Sequence, residues 1–164
     1  MAEKIIGMIN SIAREANGFT TVFFTETKMI FAKTASFLGM LGTAGGAEIL
    51  GLGTVLGSQI VTYVATNKSD EKAKELSKLN TDDILKNNKG NFEILYSDVK
   101  SITLKRPVYK TIPFTKSQFL FSGGFIEIAT TQKHYLYESY ATADDFEKYI
   151  EVVKTILPDK LTVK

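Results

Sequence analysis

The chain has 164 residues, 44% of them hydrophobic and 23% charged, with a formal charge of +2. That length and balance suit one globular domain with a buried core, and so small a charge, with no arginine-rich tract, gives nucleic acid no footing. There is no cysteine and one histidine, which leaves no disulfide framework, no thiolate metal site and no imidazole cluster, so no metal and no cofactor are expected.

Residues 1–18 read as an amphipathic helix. Ile5, Ile9, Ile12 and Ala16 recur at near-helical spacing, with Ile6 and Ala13 beside them, and Asn17-Gly18 stops the run. The apolar run is about five residues, too short for the core of a signal peptide. Residues 19–33 read as a β-hairpin, FTTVFFT and KMIFAK joined by a polar turn at Glu26-Thr27.

The stretch 35–66 differs from everything around it. It holds seven of the twelve glycines, and its one charge is Glu48. Beyond it, residues 69–89 read as a charged helix capped by Ser69 or Asp70, a short helical turn at 81–86 and a loop, NNKGN.

Residues 92–139 read as five strands. These are FEILY, then 100–105 with Ile102 and Leu104 on one face, then 118–122 and 125–130 across a Gly123-Gly124 turn, and finally 133–138. Residues 106–116, with Pro107 and Pro113, read as a loop. A last helix spans 142–157. Thr142 caps it, Asp144 and Asp145 suit its N-terminal dipole, Phe146, Tyr149, Ile150 and Val153 share its apolar face, and Pro158 ends it. The total is seven antiparallel strands and a closing helix, an α+β plan in the form of a small, partly open barrel.

Three pieces resemble the pleckstrin-homology superfamily on its bacterial PH-like, GRAM-like side. They are the hairpin VFFTETKMIFAK, the strand pair ILYSDVKSITLKR, and FIEIATTQKHYLYES followed by ATADDFEKYIEVV. The resemblance implies a single PH-like domain over 1–164 and a non-enzymatic module that binds lipid headgroups, membranes or peptides. The long insert departs from the compact family plan.

The insert is the candidate site of attachment. Gly42 and Gly46 are spaced GxxxG, as are Gly53 and Gly57, and Gly45-Gly46 suits a turn between two apolar helices. Glycine disfavours a helix in water by about 0.8–1.0 kcal/mol relative to alanine, but small residues serve close helix packing in membranes. One span would put the first hairpin and the later strands on opposite sides of the bilayer. Two spans need about 40 residues plus a turn. A re-entrant or interfacial helical hairpin meets both limits, with Phe37, Leu38, Gly42, Gly46, Ile49, Leu50, Gly53, Leu56, Gly57 and Ile60 as its contact residues. Lys28, Lys33, Lys68, Lys72 and Lys74 flank it, as expected for two ends on the cytoplasmic side. The other reading open at this point is a soluble homo-oligomer whose glycine-rich helices form the subunit interface. The partner is thus membrane lipid or protein, and not nucleic acid.

Lys105, Arg106, Lys110 and Lys116 form a basic stretch without an acid and are candidates for anionic headgroups. GxGxxxG at Gly51, Gly53 and Gly57 lacks the βαβ context of a dinucleotide loop. His134 reads as an exposed strand residue, and Asp82-Asp83 and Asp144-Asp145 as helix starts rather than catalytic pairs. No catalytic motif is present, so the expectation is a binding or scaffold module rather than an enzyme.

Overall fold

A computed structural model describes residues 3–14, 18–36, 67–111 and 118–164, with 110–111 and 118–122 described by their backbone. The described residues form an α+β fold of mostly antiparallel strands and three helices. The helical glycine-rich insert expected over 35–66 lies, from Phe37 to Thr66, outside them. The chain divides into two compact units, Met1–Glu93 and Ile94–Lys164.

The first unit is an antiparallel meander of β1 (Gly7–Ala13), β2 (Phe19–Phe24) and β3 (Lys28–Ala35). The N-terminal helix expected over 1–18 is corrected here, because residues 7–13 are a strand. The cause is a β-bulge. Ile9 pairs with Val22 and Ile12 with Thr20, so three steps on β1 match two on β2. Ser11 stands at the bulge with φ 53°. The extra residue buries Ile9 and Ile12 together at a spacing of three, which imitates a helical period. Isoleucine at 9 and 12, with asparagine and serine between, favours a kinked strand over a helix.

The meander is apolar on both faces, as a sheet covered on both sides must be. On one face Phe23, Ile30 and Ala32 pack with Ala73 and Leu76 of a helix, α1 (67–76), and with Ile84 of a second helix, α2 (Thr81–Asn87). Full burial of each large side chain contributes about 1.5–3 kcal/mol. Asn80 caps α2, its side-chain oxygen accepting from the Asp83 N–H at 2.9 Å. On the other face Phe31 stacks on Phe92 of β4 (Phe92–Leu95), ring centroids 4.7 Å apart.

The hairpin turn between β2 and β3 is clasped by Glu3. Its carboxylate accepts from the Thr25 and Thr27 hydroxyls, at 2.5 and 2.8 Å, and from the Thr27 N–H at 3.2 Å. Those donors, Thr25 first, hold the Glu3 carboxyl below the ordinary glutamate value.

In the second unit a 3-10 turn (Tyr96–Asp98) leads into β5 (Val99–Lys105). That strand pairs antiparallel with β8 (Gly124–Thr130), which pairs in turn with β9 (His134–Ser139). Ile102, Leu104, Ile126, Ile128 and Tyr137 make the buried face, and Thr103 and Glu127 alternate outward. Two strands lie where a loop and a chain end were expected. β6 (Val108–Thr111) pairs with β7 (Gln118–Ser122), and Pro107 precedes β6 without breaking it. After α3 (Ala143–Ile156) and a 3-10 turn (Pro158–Lys160), β10 (Leu161–Val163) joins β5 in parallel. With β1, these raise the seven expected strands to ten among the described residues.

The Gly123-Gly124 turn is also corrected. β7 pairs with β6 and β8 with β5 and β9, so the glycines bend the chain from one sheet to the other. A Cβ on Gly124 would come within 2.7 Å of the Phe146 ring, and it is this close approach that the bend requires. Thr142 caps α3 as expected, its Oγ1 accepting from the Asp145 N–H at 3.2 Å. Lys160 ties the two ends of the unit. Its Nζ donates to the Tyr96 and Val99 carbonyls, each at 2.6 Å.

Two predictions follow from this packing. Gly18 has φ +92°, and a Cβ there would lie 2.2 Å from the Ala35 carbonyl oxygen. Gly18→Ala should therefore lower unfolding free energy by about 2–3 kcal/mol in urea titrations. For Glu3, a folded value below the unfolded one means stabilisation that is complete above the unfolded value and lost as pH falls through the folded one. Glu3→Gln should flatten the acid limb of stability against pH, with little change of slope above neutrality. An unchanged acid limb would exclude the clasp.

Candidate functional site

The glycine-rich stretch leaves β3 after Ala35-Ser36 and returns at α1, so the geometry around those two ends defines the candidate site. Thr34 and Ser69 face each other there. Their hydroxyl oxygens are 2.6 Å apart, and Ser69 is fully buried. One step along α1, Asp70 accepts from the Ser11 hydroxyl at 2.8 Å and from the Asn10 side-chain amide at 2.5 Å. Ser69 and Asp70 were expected to cap a helix. Instead α1 already runs from residue 67, and both side chains are spent on the sheet.

Each partner is placed by a local feature. The bulge turns Asn10 and Ser11 toward Asp70, and the charge-assisted bonds offset the strain of a serine at positive φ. Thr34 follows Ala32 and Ile30 on the face that α1 covers. Gly18 lets the start of β2 pass against Ala35 and Ser36 where the chain departs. The result is a root: residues 34 and 69, 35 apart in sequence, are joined by one hydrogen bond. Sequence reading missed it. The one local signal was Asn10-Ser11, two turn-prone residues inside an isoleucine-rich run.

The expected contact residues Phe37, Leu38, Gly42, Gly46, Ile49, Leu50, Gly53, Leu56, Gly57 and Ile60 lie outside the described residues. Among the described residues no helix is long and apolar enough to cross a membrane.

Of the basic stretch, Lys105 and Arg106 have described side chains. Arg106 holds Glu147 of α3 through Nε and a second guanidinium nitrogen, at 2.6 and 3.1 Å. The same pair raises Arg106 and lowers Glu147. Lys105 lies over the Phe125 ring, 5.9 Å from its centroid. Lys110 is in β6, described by its backbone, and Lys116 is outside the described residues.

His134 is exposed, as expected, but it has a carboxylate neighbour. Its Nε2 is 2.6 Å from Glu127, which sits diagonally across the β8–β9 pair. Burial first, and then Glu138, pushes the Tyr140 phenol up to about 12, and its hydroxyl donates to Glu138 at 3.0 Å. Asp82-Asp83 and Asp144-Asp145 lie in the first turns of α2 and α3. Among the described residues no group of three metal-ligating side chains is close enough to hold an ion. Comparison with protein-family models, curated proteins and solved structures finds no match for this chain.

The hydroxyl pair at the root should behave as a coupled unit. Thr34→Val and Ser69→Ala each orphan a buried hydroxyl or its partner and should each lose about 1–3 kcal/mol of unfolding free energy. The double variant should lose much less than their sum. Strict additivity in a denaturation cycle would show that the two hydroxyls do not depend on each other.

Proposed function

We propose that the protein is a non-enzymatic, membrane-associated binding or scaffold module of PH-like type, attached through residues 35–66 on the cytoplasmic face. The observation that supports this most is the joined root. A segment that crossed a bilayer once would carry its two ends about 30 Å apart. Here Thr34 and Ser69, just outside the ends, share a hydrogen bond of 2.6 Å. In this reading the chain enters and leaves the bilayer on the same side.

Length then limits depth. Two helical arms of about 14 residues reach about 21 Å, short of a ~30 Å hydrocarbon core. An apolar arm of that reach dips into one leaflet and leaves the folded part on the side it started from. The resemblance to PH-like modules draws support from the β8–β9 hairpin followed directly by capped α3. The parallel strand β10 after that helix departs from it.

A second reading keeps the same root. The glycine pairs 42/46 and 53/57 equally suit helices that pack between copies of the chain. Liposome flotation separates the two. The variant replaces residues 37–66 with a short polar linker, which the joined root tolerates because its ends already lie together. The full chain should float in both low and high salt, and the variant should stay at the bottom while remaining folded. If neither floats, and the full chain elutes as a discrete oligomer in plain buffer, the stretch is a subunit interface and the membrane reading is wrong.

A further inference from the structure

The two ends of the β1–β3 meander carry opposite charge. The root end is fixed by the pairs Ala13 with Phe19 and Phe19 with Ala35. Lys33 is exposed on β3 at that end, and Lys68 is exposed one residue before Ser69. The turn before β4 lies there too. Asn91 accepts from the Lys33 N–H at 2.9 Å, and the side chain of Lys33 runs over Gly90. Lys89, the residue before Gly90, is exposed. Of the nearby acids, Asp70 is taken by Asn10 and Ser11, and Glu71 is exposed.

The opposite end, around the β2–β3 turn, is acidic. Glu93 pairs with Lys28 at 2.7 Å, and Glu3 and Asp82 also act on that lysine. Glu26 is exposed in the same turn. The unit is thus polarised along its strands, with the positive end at the point from which the apolar stretch departs.

We infer that Lys33, Lys68 and Lys89 form a basic rim that seats the root of the arm on an anionic lipid surface. The inference rests on the membrane reading above and adds the lipid class and the contact residues. A rim there meets headgroups at the depth where an inserting arm would enter the bilayer. Each basic side chain at such a surface strengthens partition roughly fivefold, and the effect fades beyond a Debye length, about 10 Å at 0.1 M salt. The rim differs from the 105–116 stretch, where Arg106 is already paired with Glu147.

The test measures partition of the full chain into phosphatidylcholine vesicles and into phosphatidylcholine vesicles containing phosphatidylserine. The wild type should prefer the anionic vesicles on the order of a hundredfold in low salt, and most of that preference should vanish at high salt. The triple variant K33Q/K68Q/K89Q should bind both vesicles as the wild type binds the neutral ones. K33R/K68R/K89R, which keeps the charge, should retain the preference. Equal wild-type binding to both vesicles, or a glutamine variant that keeps the preference, overturns the rim while leaving the arm intact. Failure to bind either vesicle at any salt overturns the membrane reading and the rim together.

Discussion

The hydroxyl pair of Thr34 and Ser69 is the contact on which the first unit's design turns. A buried hydroxyl without a partner loses its hydration for nothing, so the two depend on each other. That dependence holds the first described turn of α1 against β3. The bulge at Ser11 serves the same end. It brings Asn10 and Ser11 to Asp70, so the first described turns of α1 are held by β1 as well as β3. Against this background Thr21 stands out. It is fully buried on β2, and its hydroxyl has no hydrogen-bond partner. At the root, by contrast, the Thr34, Ser69 and Ser11 hydroxyls are each hydrogen-bonded.

The second unit is secured differently. Its exposed ion pairs, Arg106 with Glu147 and Lys148 with Asp145, lie in water and add little to stability. Lys160 contributes more. It places an ammonium between the Tyr96 and Val99 carbonyls, and so fastens the turn after α3 to the start of β5. The chain after that turn then runs parallel to β5, with Lys164 and Arg106 continuing the ladder beyond β10.

Much of this was legible in the sequence where the signal was local. The β2–β3 hairpin, the short helix α2 and the Thr142 cap of α3 all follow from short-range chemistry. The misreadings arise where two periods coincide or where partners are distant. One added residue in β1 makes a strand imitate a helix. β10 has three residues after a proline and draws its order from β5, some sixty residues earlier. The root could not be read at all, because a threonine and a serine thirty-five residues apart carry no periodicity. The basic rim inferred above combines three lysines from three separate segments, and each alone looks like an ordinary solvated side chain.

The composition of residues 35–66 gains meaning from the root. Seven glycines would weaken helix formation in water by about 6 kcal/mol relative to alanines. A stretch built to fold against its own domain has little use for that penalty. One that acts where water is excluded is in a different position, because every backbone group there must bond within its own segment and small residues let two arms approach closely. In the proposed reading the first unit holds both ends in place before the arm meets the bilayer, so closing the loop requires no further entropy at that moment. In that reading the lipid supplies the helix stability that the sequence withholds in water. Under this proposed division of labour the first unit orders the ends and the membrane orders the middle, so a stretch whose glycines disfavour a helix in water is proposed to anchor where water is excluded.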